Sequence, residues 1–240
     1  MAETEIIDGV ACQYELLGAP SGCARCGTVV FLHGWGGGLY SFSRACADIN
    51  KLGAQCVNFA FPVNVPSDWG IYDYAAYVKN FLRLKNIKEP IVIGHSFGGR
   101  IALILAAQGV CGGIVLVDAA GMKPRFSLRK KIRIARYRRS VKRGKPLDGM
   151  GSIDYNNLDG DMRKVFVRIV NTHLDKLLSL VSCKTLVFWG RQDRDTPPYM
   201  ARRIARGIKN SELVFTDGGH YSYIDSDYKF IRTVKSFIME

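Results

Sequence analysis

A serine set between glycines, a histidine near the end of the chain and a choice of three aspartates supply the parts of acyl-transfer chemistry. The serine is Ser96, in Gly94-His95-Ser96-Phe97-Gly98-Gly99. A serine hydroxyl is a weak nucleophile until a base takes its proton, and the base must itself be held by a third group. Where the serine stands in Gly-x-Ser-x-Gly between a strand and a helix, the partners follow in the order serine, acid, histidine. Of the four histidines, His95 lies inside the serine motif, His33 precedes it and His173 falls in a helical stretch. That leaves His220, in Asp217-Gly218-Gly219-His220. The acid is Asp193 or Asp195, in the loop from Gly190 to Pro197, or Asp118 at the end of another apolar run. Aspartates also form turns and cap helices, so residue type alone does not choose among them. The oxyanion formed by attack needs two backbone N–H donors. One belongs to Phe97, the residue after the nucleophile, and the other to Trp35, in the glycine loop His33-Gly34-Trp35-Gly36. That loop has neither the six-residue dinucleotide pattern nor a P-loop Gly-Lys-Ser/Thr, so phosphate binding is not its reading.

These residues must be carried by elements that end near one another. Thr28–Leu32, Gln55–Ala60, Ile91–His95, Gly113–Asp118, Thr185–Gly190 and Glu212–Thr216 are short runs rich in apolar and β-branched residues, as expected of strands. Residues from Ile6 to Leu17 read as a further strand or hairpin arm, and Gly18–Gly27 as a turn. Helical patterns lie between them, at about Phe42–Leu52, Tyr72–Leu84, Arg100–Gln108, Pro198–Arg206 and Asp227–Ile238. Alternating strands and helices predict a mostly parallel sheet flanked by helices, with ligands at the carboxyl ends of the strands. Each glycine motif sits at such an end. The alternation stops between Gly121 and Ser182, where Met162, Val165, Phe166, Ile169 and Val170 form a helical stripe continued by Leu174, Leu177 and Leu178. This predicts a core in two parts, 1–121 and 182–240, with a helical lid over 122–181.

The motifs together resemble the α/β-hydrolase superfamily, in its small lid-bearing branch of esterases and related hydrolases. His33-Gly34-Trp35-Gly36-Gly37 is similar to the family's oxyanion loop, and Gly94–Gly99 to its nucleophile elbow. Trp189-Gly190-Arg191-Gln192-Asp193-Arg194-Asp195-Thr196-Pro197 resembles its acid loop, and Gly219-His220 its terminal Gly-His. The resemblance covers about Ile6–Gly121 and Ser182–Glu240. It implies an α/β-hydrolase fold and favours Asp193 over Asp195 and Asp118 as the acid. It further implies a serine hydrolase that cleaves a small carboxylic ester or related acyl bond through an acyl-enzyme, with no cofactor and no metal. The same triad also serves C–C hydrolysis, elimination, and thioester or peptide hydrolysis on an anionic metabolite. A non-catalytic binding member of the fold would need neither base nor acid.

Composition sets the remaining bounds. The 240 residues carry seven cysteines, an odd number scattered along the chain, which fits reduced thiols and a cytoplasmic setting better than a disulfide framework. Cys23-Ala-Arg-Cys26 has metal-ligand spacing but no second pair to close a zinc site. Met1–Glu5 is acidic and lacks the apolar core of a secretory signal, and no apolar run approaches the ~18 residues of a membrane span. The net charge is +13, yet Lys123–Lys145 alone holds twelve Lys and Arg and no acid. Its apolar residues fall on two opposite sides of a helical wheel, which does not make a membrane-surface helix. It predicts a solvated lid face or a selector of anionic substrates, not a specific nucleic-acid site. Oligomeric state is not legible.

Overall fold

The computed structural model describes residues 1–18, 27–125 and 153–240, with Ile132, Arg136, Arg139 and Arg143 in the stretch between. The Cys23–Cys26 pair and most of the basic run lie outside the described residues. One sheet of eight strands organises the chain: β1 (Ala2–Ile7), β2 (Val10–Leu17), β3 (Thr28–Leu32), β4 (Gln55–Ala60), β5 (Ile91–His95), β6 (Gly113–Val117), β7 (Lys184–Gly190) and β8 (Ser211–Thr216). Their spatial order is β1-β2-β4-β3-β5-β6-β7-β8. β1, β2 and β4 pair antiparallel, and the pairs from β4 and β3 through to β8 are parallel. From β3 the chain first steps outward to β4, then returns to the other side of β3 as β5. The crevice between the ends of β3 and β5 is therefore the switch point at which open parallel sheets bind ligands. The glycine loop follows β3 and Ser96 follows β5.

Successive strand residues point to opposite faces, so a strand buried on both faces feeds two cores. Val30, Leu32, Val92, Leu116 and Val187 pack with α2 (Ile71–Leu84), α3 (Phe97–Ala107) and α6 (Tyr199–Gly207). Val29, Phe31, Ile93, Val115 and Phe188 pack on the other face with α1 (Ser43–Asn50) and α8 (Asp227–Met239). In α8 the buried residues Phe230, Val234, Phe237 and Ile238 keep the helical spacing that lays one stripe on the sheet. The helix α3 is different, because Phe97 to Ala106 are all buried.

Between β6 and β7 the described elements are α4 (Ile153–Asn156), α5 (Gly160–Asn171) and a 3-10 helix at Asp175–Leu180. Asp159 caps α5, its side chain accepting the Met162 amide at 2.9 Å. Val165 and Ile169 of the expected stripe are buried, whereas Val170 is exposed. Leu174, Leu178 and Val181 join the core on the α3 side of the sheet.

Beyond shifts of one or two residues at other ends, the elements differ from expectation in three places. The amino-terminal arm is a full hairpin whose first strand starts at Ala2, turning at Asp8-Gly9 with both residues at positive φ. α3 begins at Phe97, three residues early, because Ser96 rather than Gly99 ends the extended chain. A short α7 (Ser222–Asp225) precedes the closing helix. No helix among the described residues is long and apolar enough to cross a membrane.

Candidate active site

Ser96 occupies φ 47, ψ −103, a conformation that a non-glycine residue adopts only when its surroundings impose it. The surroundings are visible. The Ser96 amide donates to Val117 O at 3.0 Å, the Ala120 amide donates to Ser96 O at 3.0 Å, and the Gly98 amide donates to His33 O at 3.1 Å. A side chain at Gly94 would strike the Gly98 backbone, and one at Gly98 would strike the Leu32 and His33 carbonyls. The two glycines let β5, α3 and the end of β3 meet backbone to backbone.

The structure brings Ser96, His220 and Asp193 into one hydrogen-bonded chain. Ser96 Oγ lies 2.9 Å from His220 Nε2, and His220 Nδ1 lies 2.9 Å from Asp193 Oδ2. A carboxylate can only accept, so Nδ1 carries the hydrogen and Nε2 is free to accept from the serine hydroxyl. The Asp193 side chain is fully buried and that of His220 is 15% exposed. Burial alone would raise the Asp193 pKa, but hydrogen bonds from His220 and Thr196 outweigh it and the net shift is downward. Burial alone would lower the His220 pKa, but the bond to Asp193 and its charge, with smaller help from Asp118 and Asp195, raise it.

Asp195 and Asp118 stand elsewhere. Asp195 is exposed, and its amide donates to Asp193 Oδ1 at 2.8 Å. Asp118 is fully buried and spends both oxygens on backbone amides, accepting Gly190 N at 2.8 Å and Ser222 N at 3.0 Å. Burial pushes its pKa up to about 7, against partial opposition from the Ser222 and Gly190 hydrogen bonds.

The glycine loop after β3 lies against the elbow. His33 is buried, and burial lowers its pKa. Its Nε2 accepts the Phe61 amide at 3.0 Å, so its Nδ1 holds the hydrogen and donates to Gly34 O at 2.7 Å. A side chain at Gly34 would meet the His95 ring and Ser96 Cβ. The Trp35 indole meets Phe97 edge-on at 5.3 Å and Phe166 of α5 at 5.1 Å. Phe97 opens α3, so its amide has no intrahelical acceptor. Among the described residues, neither that amide nor the Trp35 amide donates to a backbone carbonyl. One of these amides follows Ser96 in the chain and the other belongs to the loop packed against it.

Thr196 belongs to the site although only its place in the acid loop marks it in the sequence. Its amide donates to Asp193 Oδ1 at 2.9 Å, and its hydroxyl lies 2.6 Å from Asp193 Oδ2 and 3.2 Å from His220 Nδ1. The signal that points to it is a hydroxyl residue three after an aspartate, the spacing of a side-chain-closed turn. The ligand atoms of Asp193, Asp195 and His220 lie within 4.8 Å of one another, close enough for a metal ion. Asp193 Oδ2 and His220 Nδ1 already bond each other, however, which leaves an ion only the exposed Asp195 and weakens that use.

Comparison with known proteins follows the same lines. The profile described as "Alpha/beta hydrolase family" matches residues 29–232. The "AB hydrolase superfamily protein YisY" of Bacillus subtilis (strain 168) is 25% identical over 244 residues, covering 87% of this chain and 90% of its own. A "2-hydroxy-6-oxononadienedioate/2-hydroxy-6-oxononatrienedioate hydrolase" of Paraburkholderia xenovorans (strain LB400) is 23% identical over 249 residues, covering 88% and 86%. Among solved structures, the esterase EaEST from Exiguobacterium antarcticum superposes with TM-score 0.78 at 18% identity over the whole of both chains. The enol-lactonase from Burkholderia xenovorans LB400 superposes with TM-score 0.76 at 16% identity, covering 99% of this chain and 100% of its own. The solved structures agree with this chain in fold.

Proposed function

Because the chain belongs to the alpha/beta hydrolase family, we propose that it is a serine hydrolase acting on a small carboxylic ester or related acyl bond. The observation that carries this reading is the run of hydrogen bonds from Ser96 Oγ through the His220 ring to Asp193. Ser96 Oγ attacks the acyl carbon while His220 Nε2 takes its proton. The carbonyl oxygen becomes an oxyanion, stabilised by the Trp35 and Phe97 amides. The imidazolium then gives its proton to the departing alcohol, leaving an acyl-enzyme. Water, deprotonated by the same nitrogen, repeats the attack and frees the acid. Asp193 holds the Nδ1–H tautomer throughout and balances the imidazolium. No step draws on a cofactor. The segment 122–181 acts as the lid in this reading, and Phe166 on Trp35 is the contact through which it reaches the oxyanion loop.

A fluorophosphonate probe tests the nucleophile directly. Wild-type protein is expected to be labelled at Ser96 and to hydrolyse p-nitrophenyl esters of short acids. Ser96→Ala is expected to keep its fold and lose both. A folded Ser96→Ala protein that retains most of the esterase activity would overturn the assignment.

A second reading keeps the same residues but takes an anionic metabolite and cleaves a C–C bond. It is favoured by the named activity of the Paraburkholderia relative, whose substrate is a dioate, and by the twelve cations of 123–145. Parallel assays of a neutral ester, a carboxylate-bearing ester and a carboxylate-bearing β-diketone separate the two. Turnover of the diketone in preference to both esters would decide for C–C cleavage.

A further inference from the structure

Both ring nitrogens of His220 are engaged, yet a ring is only as well placed as the backbone from which it hangs. That backbone follows Gly218, at φ +145, and Gly219, neither of which has a side chain to fix the loop. The Gly219 amide donates to Asp225 Oδ2 at 2.7 Å and Gly218 O accepts the Gln192 amide, and two buried side chains from other elements hold the stretch from His220 onward. His95, 2% exposed, ends β5 immediately before the serine. Its Nε2 donates to the His220 carbonyl at 2.7 Å, and its ring packs 5.0 Å from the His220 ring. Asp118 stands just past β6, at φ 44. Its carboxylate accepts the amide of Ser222, two residues after His220, and the amide of Gly190, where the loop bearing Asp193 begins. One buried carboxylate therefore ties the acid loop to the base loop. The two loops also touch directly, since a side chain at Gly190 would strike the Gly218 and Gly219 carbonyls.

We propose that His95 and Asp118 are positioning residues for His220, a two-point clamp on its backbone that sets where the imidazole stands between Ser96 and Asp193. This role rests on His220 being the general base. Burial and the neighbouring His220 hold the His95 pKa down to about 3, so its ring stays neutral at any working pH. Asp118 acts on His220 through its charge as well as through the backbone. The charges that act on the His220 ring are those of Asp193 and Asp195 from the acid loop and Asp118 from the end of β6, while the neutral His95 ring packs against it from β5.

Nuclear magnetic resonance of the whole protein labelled with ¹⁵N-histidine tests the clamp, since only four imidazoles contribute and His220→Gln identifies the relevant one. Asp118→Asn is expected to lower the His220 titration midpoint by about half a unit. His95→Phe keeps an aromatic ring but removes the donor. It is expected to weaken the downfield Nδ1 proton signal of His220 and to slow fluorophosphonate labelling about tenfold. His95→Gln, which restores an N–H, is expected to recover most of that rate. A merely structural role would change melting temperature without moving the midpoint or the Nδ1 signal of the folded fraction. The wild-type midpoint in Asp118→Asn, together with wild-type signal and labelling in folded His95→Phe, would overturn the proposal. The His95 pair decides it if Asp118→Asn does not fold. Failure of the wild-type protein to be labelled would overturn Ser96 as nucleophile, and the ring signals would still decide the clamp.

Discussion

At Ser96 the backbone holds a conformation costing about 1–3 kcal/mol, and the amide and carbonyl bonds around it keep it there. Its neighbour Gly98 has no room for a methyl group against Leu32 and His33. Gly98→Ala is expected to destabilise the fold by about 3 kcal/mol, read from urea unfolding. The histidine carries a different consequence. Its pKa lies above the ~6.5 of a free imidazole, and only the neutral ring can take the serine proton. With His220 as the proposed base, activity is expected to rise with pH as the ring loses its proton, with the half-maximal kcat/KM above about pH 6.5. Asp193→Asn removes the group that most raises it. That variant is expected to lose about 10⁴-fold in kcat and to move the acid limb of the profile to lower pH. An unmoved limb would argue that the group titrating is not His220. The three aspartates could not be ranked from residue type, because what separates them is their hydrogen-bond partners. Asp118 meets two amides, Asp195 meets solvent, and Asp193 meets the imidazole.

Among the elements, α3 is the one on which most depends, since it starts directly after Ser96 and is buried all round. Arg100, in its first turns, is 7% exposed. Its guanidinium donates to the Ile169 and Thr172 carbonyls at 3.0 and 2.8 Å, closing the carboxyl end of α5. Burial brings its pKa down to about 10, so it stays charged. Arg100→Met leaves two carbonyls without their donor and is expected to cost about 1–3 kcal/mol. Faster hydrogen exchange in α5, with the sheet unchanged, is the measurement that checks it. The strands were legible where apolar β-branched runs ended in glycine or proline, and β3 and β4 begin and end as expected. β1 was not, because Ala2–Glu5 is a polar edge strand with mostly exposed side chains and no alternation to read. The start of α3 was missed because Phe97-Gly98-Gly99 is a poor helix former, held helical by the packing at the elbow.

For the whole molecule the charge is the feature that sequence exposes best and fold explains least. Its +13 resides almost wholly in 123–145, and the described start of that run is anchored. The Lys123 amide donates to Asp175, Arg203 donates to the Lys123 carbonyl, and Arg125 lies 4.5 Å over the Tyr199 ring. If the run selects anions, kcat/KM for a carboxylate-bearing ester is expected to fall several-fold between about 20 and 200 mM salt. The value for a neutral ester is expected to stay within about twofold. Equal salt responses would leave the cations a solvated face.

The stretch after β6 and the return to the core meet at two bonds, the Leu174 amide donating to the Gly121 carbonyl at 2.9 Å and the Lys123 amide to Asp175 Oδ2 at 2.9 Å. Gly121 takes φ +117 there, with Leu174 packed against it. The chain from 122 to 173 is therefore an excursion whose two ends are already joined. Closing a loop of twice the length costs only about 0.6 kcal/mol more. A change of length between Lys123 and α4 is therefore expected to cost the sheet little, whereas α5, which sinks Val165 and Ile169 into the core, has no such freedom.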